Sequence, residues 1–145
     1  MIIRPYDPGH LEATARLWRA STVSSGVVAE DAVSLADLVE RLPVEIAAGW
    51  AAFLGWRGET MVGFLALKPD EACLSQLFVL PEAQGRGVGA AMLDFAKERL
   101  PDGMWLRTSA DNYGARRFYE RHGFRLTETG LHPRAGYPTV TYRWP

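Results

Sequence analysis

The sequence predicts a mixed α/β fold of the α+β type: a central, largely antiparallel sheet of about seven strands flanked by four helices. Three observations lead there. Apolar spacing alternates between period two and helical periodicity in the order strand, helix, helix, three strands, helix, strand, helix, two strands. The middle strands are joined by short turn-forming segments, as antiparallel neighbours are. One glycine-rich junction, Leu77 to Leu93, turns a strand into a helix. With 145 residues, 48% of them hydrophobic, the chain suits one domain over 1–145 around a single core.

In chain order, Met1 to Tyr6 reads as a first strand closed by Asp7-Pro8-Gly9. Leu11, Ala15, Leu17 and Trp18 give an apolar face to a helix running to about Ala20, and Ser21 to Gly26 reads as a polar breaking loop. Ser34 is placed to cap a second helix, with Asp37 three residues on and Leu35, Leu38, Val39 and Leu42 on one face; Pro43 is expected to kink or restart it before Gly49 ends it. Trp50 to Trp56 and Met61 to Leu67 form a hairpin around Arg57-Gly58-Glu59-Thr60, and Ala72 to Leu80 is the next strand. Val88, Ala91, Met92, Phe95, Ala96 and Leu100 set a helix over Arg86 to Leu100, stopped by Pro101-Asp102-Gly103. Met104 to Ser109 is a strand, Asn112 to His122 a short helix ended by Gly123, and Phe124 to Thr129 with Thr139 to Trp144 a closing pair.

The junction carries the chemistry. After Pro81, Gly85, Gly87 and Gly89 leave the start of a helix almost bare of side chains, so unpaired N–H groups and the positive end of the helix dipole can converge on an anion. Arg86 adds a full charge there. One glycine would satisfy a tight turn; three exceed it. No Gly-Lys-Ser or Gly-Lys-Thr follows, which excludes a triphosphatase phosphate loop. Gly85, Gly87 and Ala90 also fit a dinucleotide fingerprint with Asp111 about twenty residues on, but that motif normally opens a domain and here most of the chain precedes it.

Val79-Leu80-Pro81 followed by Gln84-Gly85-Arg86-Gly87-Val88-Gly89-Ala90 resembles the Q/R-x-x-G-x-G/A acyl-CoA signature of the GCN5-related N-acetyltransferases. A second stretch, Asn112 to Phe124, is similar to that family's N-x-x-A-x-x-F-Y-x-x-x-G-F, in the right order and at a spacing that leaves room for one helix and one strand. Together they cover roughly the second half of the chain. The resemblance implies a GNAT-like sheet whose fourth and fifth strands splay, with a pantetheine arm in the gap. It implies acetyl-CoA as co-substrate, bound by Phe78, Val79, Gln84, Gly85, Arg86, Gly87, Val88, Gly89, Ala90 and Asn112. It also implies direct transfer to a primary amine of a small molecule, peptide or protein.

Such a transfer needs a donor for the thioester carbonyl, a base for the amine and an acid for the departing thiolate. Resemblance assigns the first to the N–H near Val79 and the third to Tyr119, the one catalytic residue it names. A phenol of ordinary pKa near 10 is a proton donor at neutral pH. Tyr119 also lies on a helical stripe with Ala115, Phe118 and His122, where an aromatic is a core residue, and Asn112 is also a natural helix cap. His122 is read as a helix-terminal histidine outside the site. Histone-type members carry a glutamate base at about the position of Cys73, and no carboxylate occurs between Ala72 and Leu80. Glu30, Asp31, Asp70, Glu71 and His132 remain candidates. The acceptor is left to the first two helices and the loop from Leu131 to Pro138, with Trp18, Trp50 and Tyr137 as candidate walls and Arg134 as a candidate carboxylate partner. Replacing Gly87 by valine is expected to fill the phosphate's place with the fold intact.

A net charge of -1 gives no general affinity for nucleic acid or membrane. One cysteine and scattered His10, His122 and His132 provide neither an internal disulfide nor metal-ligand spacing, so no metal is expected. No apolar run is long enough to cross a bilayer and the N-terminus lacks a signal-peptide core, which together suggest a cytoplasmic protein; a homodimer is compatible with the sequence. Two other readings stand beside the enzyme: an acyl-CoA-binding regulator without turnover, and a nucleotide-binding module using the same loop.

Overall fold

The computed structural model describes residues 1–25 and 33–145; Gly26, Glu30 and Asp31 of the sequence reading lie outside the described residues. The strands are β1 (Ile2–Pro5), β2 (Ala51–Arg57), β3 (Thr60–Lys68), β4 (Cys73–Val79), β5 (Met104–Ser109), β6 (Arg125–Leu131) and β7 (Pro138–Trp144). The helices among the described residues are α1 (Leu11–Ser25), α2 (Leu35–Ala47), α3 (Val88–Arg99) and α4 (Tyr113–Arg121). The seven strands form one sheet in the order β1-β2-β3-β4-β5-β7-β6. Every neighbouring pair is antiparallel except β4 and β5, which run parallel and share a single paired position, Cys73 with Trp105. Beyond it they part, as the sequence reading expects.

The sheet separates two apolar clusters, as alternation along strands requires. On one face Leu67, Leu74, Leu106 and Tyr142 meet Val88, Met92 and Leu93 of α3 and Tyr119 of α4. On the other, Leu54, Phe64 and Ala66 meet Leu17 and Trp18 of α1 and Leu38 and Leu42 of α2. Gly63 on β3 serves the first face: an added Cβ would collide with the Met92 sulfur, so the Met92 side chain fills the space that glycine leaves.

Two elements differ from the sequence expectation. The α1 helix does not stop at Ala20 but continues through Ser25. The Ser/Thr run that reads as a breaker bonds back into the helix, Thr22 Oγ1 donating to the Trp18 and Arg19 carbonyls at 3.2 and 2.9 Å and Ser25 Oγ to the Thr22 carbonyl at 2.6 Å. In addition, α2 runs through Pro43 without restarting. Leu38 and Leu42 are buried on its inner side while Pro43 is exposed, so the proline ring stands on the outer side of the helix, away from the packed residues. Ser34 caps α2 as expected, its Oγ accepting from the Asp37 N–H at 3.1 Å.

Candidate functional site

The parting of β4 and β5 opens a cleft of about 1110 Å³. The glycine loop lies at one end. Gly85 and Gly87 have φ of +77° and +82°, the left-handed region that penalises any side chain. Nothing stands within 4 Å of where their Cβ atoms would be, so the ground beside the loop is open. The positive φ also corrects the expectation that Gly87→Val leaves the fold intact, because a β-branched residue is strained there whatever the space. Gly87 is the N-cap of α3, and the first amide to find its carbonyl is that of Ala91, at 3.0 Å. The N–H groups of Val88, Gly89 and Ala90 therefore lack intrahelical acceptors. Gly89 is closely packed, since a Cβ there would lie 3.3 Å from the Phe118 ring.

The structure sorts the sequence-named residues. Phe78, Val79, Gln84, Gly85, Gly87, Gly89, Ala90, Asn112 and Tyr119 line the cleft. Val88 points into the core, and Arg86 is exposed and not among the lining residues. Strand parity separates Phe78 from Val79. The Leu80 N–H donates to the Val62 carbonyl, so the hydrogen-bonded pairs of this ladder are Val62 with Leu80 and, two residues back, Phe64 with Phe78. The Phe78 backbone is thus directed at β3, while Val79 and Leu77 turn theirs toward the gap. Leu77, also in the lining, was missed because its role depends on this parity rather than on its side chain. Gln84 Nε2 donates to the Val79 carbonyl at 3.3 Å, so this side chain braces the loop against the strand end.

On the opposite wall, Asn112 caps α4, its Oδ1 accepting from the Ala115 N–H at 3.2 Å, which leaves its amide NH₂ as the group still able to donate to a ligand. Tyr119 is 7% exposed and lines the cleft. Burial alone raises its phenol pKa, and its hydroxyl makes no hydrogen bond among the described residues. The helix that carries it is fixed to β7: Arg116 Nε donates to the Tyr142 hydroxyl at 3.1 Å, and that hydroxyl donates to Glu120 Oε2 at 2.6 Å. His122 Nδ1 lies 2.7 Å from the Phe118 carbonyl, within its own helix.

The cleft is also lined by the last turn of α1 and by α2, which cover the sheet face opposite α3 and α4, and by the β6–β7 loop. Trp18 and Trp50 are 3% and 8% exposed and pack against Phe64, with Trp18 also stacked on Phe78, so they are core aromatics that floor this part. Among the candidate bases, Glu71 reaches the cleft but is paired with Lys68 at 2.7 Å; Asp70 is not among the lining residues. Glu45 lines the cleft as well, 3.5 Å from Arg41 Nε, and was missed because an acid on an amphipathic helix looks like solvated surface. His132 Nδ1 accepts the N–H groups of Arg134 and Ala135 at 3.2 and 3.0 Å, which makes Nε2 the protonated nitrogen and a donor. Its pKa is lowered by burial and by the charges of Arg134, Arg41 and Arg107. Cys73, where a histone-type base would sit, is a buried thiol with its pKa raised by desolvation. Among the described residues no group of three or more His, Cys, Asp or Glu side chains stands close enough to hold a metal, and no helix is long and apolar enough to cross a membrane.

Known proteins share this fold. The chain is 28% identical over 85 residues to the peptidyl-lysine N-acetyltransferase YiaC of Escherichia coli, covering 59% of this chain and 57% of that protein. It is 31% identical over 140 residues to the mycothiol acetyltransferase of Streptomyces bingchenggensis, covering 89% of this chain and 44% of that one. The chain thus spans about half the length of these curated relatives. Among solved structures, an acetyltransferase from Thermus thermophilus superposes with a TM-score of 0.80 at 24% identity, covering 99% of this chain and 96% of that one. The PaiA N-acetyltransferase of Thermoplasma acidophilum, solved in complex with coenzyme A, gives 0.76 at 19% identity, covering 97% and 96%. Residues 12–124 match the acetyltransferase (GNAT) family, so the chain belongs to that family.

Proposed function

We propose that this chain folds as one domain and acts as a cytoplasmic N-acetyltransferase that moves the acetyl group of acetyl-CoA directly to a primary amine. The observation that carries the reading is the parting of β4 and β5 after the Cys73–Trp105 pair, with an anion-receptive helix start at one end of the gap and the Tyr119 side chain on its wall. The pyrophosphate of CoA meets the N–H groups of Val88, Gly89 and Ala90 and the positive end of α3. The pantetheine arm lies along the open side of β4 and pairs with the outward-turned backbone of Leu77 and Val79 as an added strand would. The Val79 N–H polarises the thioester carbonyl as charge develops on its oxygen.

The amine attacks that carbonyl, the C–N bond forms as the C–S bond breaks, and Tyr119 gives its proton to the departing thiolate. Burial suits the phenol to this task by keeping it protonated until the thiolate appears. Among the described residues no base is ready: Glu71 and Glu45 face cations, and His132 has its Nδ1 lone pair engaged. The amine is therefore taken up from its neutral fraction, and the proton its nitrogen sheds on forming the amide passes through water and restores the Tyr119 phenol. The test is release of CoA thiol from acetyl-CoA with a panel of amines and peptides. Acceptor-dependent release is the expected result. Tight acetyl-CoA binding with no release for any acceptor would instead make the protein a CoA-binding regulator, and stabilisation by ATP or NAD but not by CoA compounds would make it a nucleotide module.

A further inference from the structure

The acceptor region of the cleft carries more positive charge than holding a neutral amine requires. Arg107 lies on β5 two residues from the Cys73–Trp105 pair and two residues from Ser109, whose partner Thr139 stands at the start of β7 next to the β6–β7 loop, and Arg107, His132 and Arg134 all line the cleft. The Arg107 guanidinium sits 5.4 Å from the centre of the Trp105 ring, and that indole is fixed by donating to the Glu71 carbonyl at 2.9 Å. Arg134 enters from the β6–β7 loop, which is built rather than slack: the His132 N–H donates to the Tyr137 carbonyl at 2.8 Å, the Gly136 N–H to the His132 carbonyl at 2.9 Å, and the His132 and Tyr137 rings stack at 4.7 Å.

The carboxylates lining this part of the cleft are already matched, Glu45 by Arg41 and Glu71 by Lys68. Neither Arg107 nor Arg134 has a carboxylate partner among the described residues. The depressed pKa of His132, to which Arg134, Arg41 and Arg107 all contribute after burial, is consistent with these cations sharing one region. His132, with Nδ1 occupied as an acceptor, adds an Nε2–H donor to the same cleft. Two planar forks and a ring N–H with no carboxylate partner among the described residues form a receptor for a carboxylate.

We propose that the acceptor is an amine that also bears a carboxylate, held by Arg107, Arg134 and the His132 Nε2–H. This rests on the transferase reading and names its substrate class. The carboxylate fixes the acceptor between β5 and the β6–β7 loop and leaves its amine to reach toward the thioester. An amino acid, or a peptide presenting an acidic group beside its amine, fits; a simple alkylamine does not.

Acetyl-CoA affinity is measured first by calorimetry, and its absence overturns the transferase reading rather than this one. Matched acceptors follow: free amino acids and Nα-acetyl-lysine, each against its carboxamide, as kcat/KM in the thiol-release assay and as binding to CoA-saturated protein. The acids are expected to be favoured by about tenfold or more, the worth of a charge-assisted hydrogen bond. Arg107→Gln and Arg134→Gln should raise KM for the acid, leave its carboxamide unchanged and keep acetyl-CoA affinity. Acetyl-CoA binding with acid and amide treated alike in both assays, or a preference that survives both substitutions, overturns the carboxylate inference alone.

Discussion

At the residue scale, Tyr119 decides whether the fold is a catalyst or only a holder of CoA. Its ring packs against Phe118 and Phe124 at 5.3 and 5.4 Å, so Tyr119→Phe keeps the packing and removes a hydroxyl with no partner to lose among the described residues. Stability should change by less than about 1 kcal/mol. Single-turnover acetyl transfer should fall by about a hundredfold, the low end of general acid catalysis, because a thiolate is a tolerable leaving group and water partly replaces the phenol. The pH dependence follows from the raised pKa. The folded protein holds the phenolic proton more tightly than the unfolded chain does, so this group's contribution to stability is complete below pH about 10 and is lost as pH rises through the raised value. In a pH–rate profile, no loss of rate from phenol ionisation should occur up to about pH 9. A rate equal to wild type for Tyr119→Phe would make this residue a core aromatic.

At the scale of elements, α2 offers a test of how local signals are overridden. Pro43 sits exposed inside a continuous helix whose inner residues Leu38 and Leu42 are fully buried. Packing there compensates for a missing N–H. Pro43→Ala restores the hydrogen bond and removes the ring clash, and it should stabilise the protein by about 1–2 kcal/mol after the loss of proline's rigidity in the unfolded chain is subtracted. Urea unfolding checks this; an unchanged or lower midpoint would mean the proline is needed where it stands. The same override explains what was hidden in α1. Ser21 to Ser25 has the composition of a loop, and only the bonds from Thr22 and Ser25 to carbonyls one turn back show it to be helix lining the cleft. The glycine loop and the Asn112–Tyr119 helix were legible because their signals are local: glycines at alternate positions, a cap and a spacing along one helix. The direction of the Val79 backbone was not, since it is set by register with β3, and neither was the lining of one cleft by Arg107 and a loop distant in sequence.

At the scale of the whole molecule, the sheet is held on both sides of a break. Antiparallel ladders run from β1 to β4 and from β5 to β6, and Cys73 with Trp105 is the one paired position that joins them. The two halves are otherwise coupled through α3, α4 and the apolar cluster beneath them. A ligand that completes the hydrogen bonding of β4 and reaches the α3 start would bridge the break, so binding and stability are linked. The most direct measurement is mapping of backbone amide shifts by NMR as acetyl-CoA is added. Val79, the segment Gln84 to Ala90 and Asn112 should shift together and saturate with one affinity, while β1 and β6 stay where they are. Shifts confined to other surfaces, or none at saturating acetyl-CoA, would contradict the account.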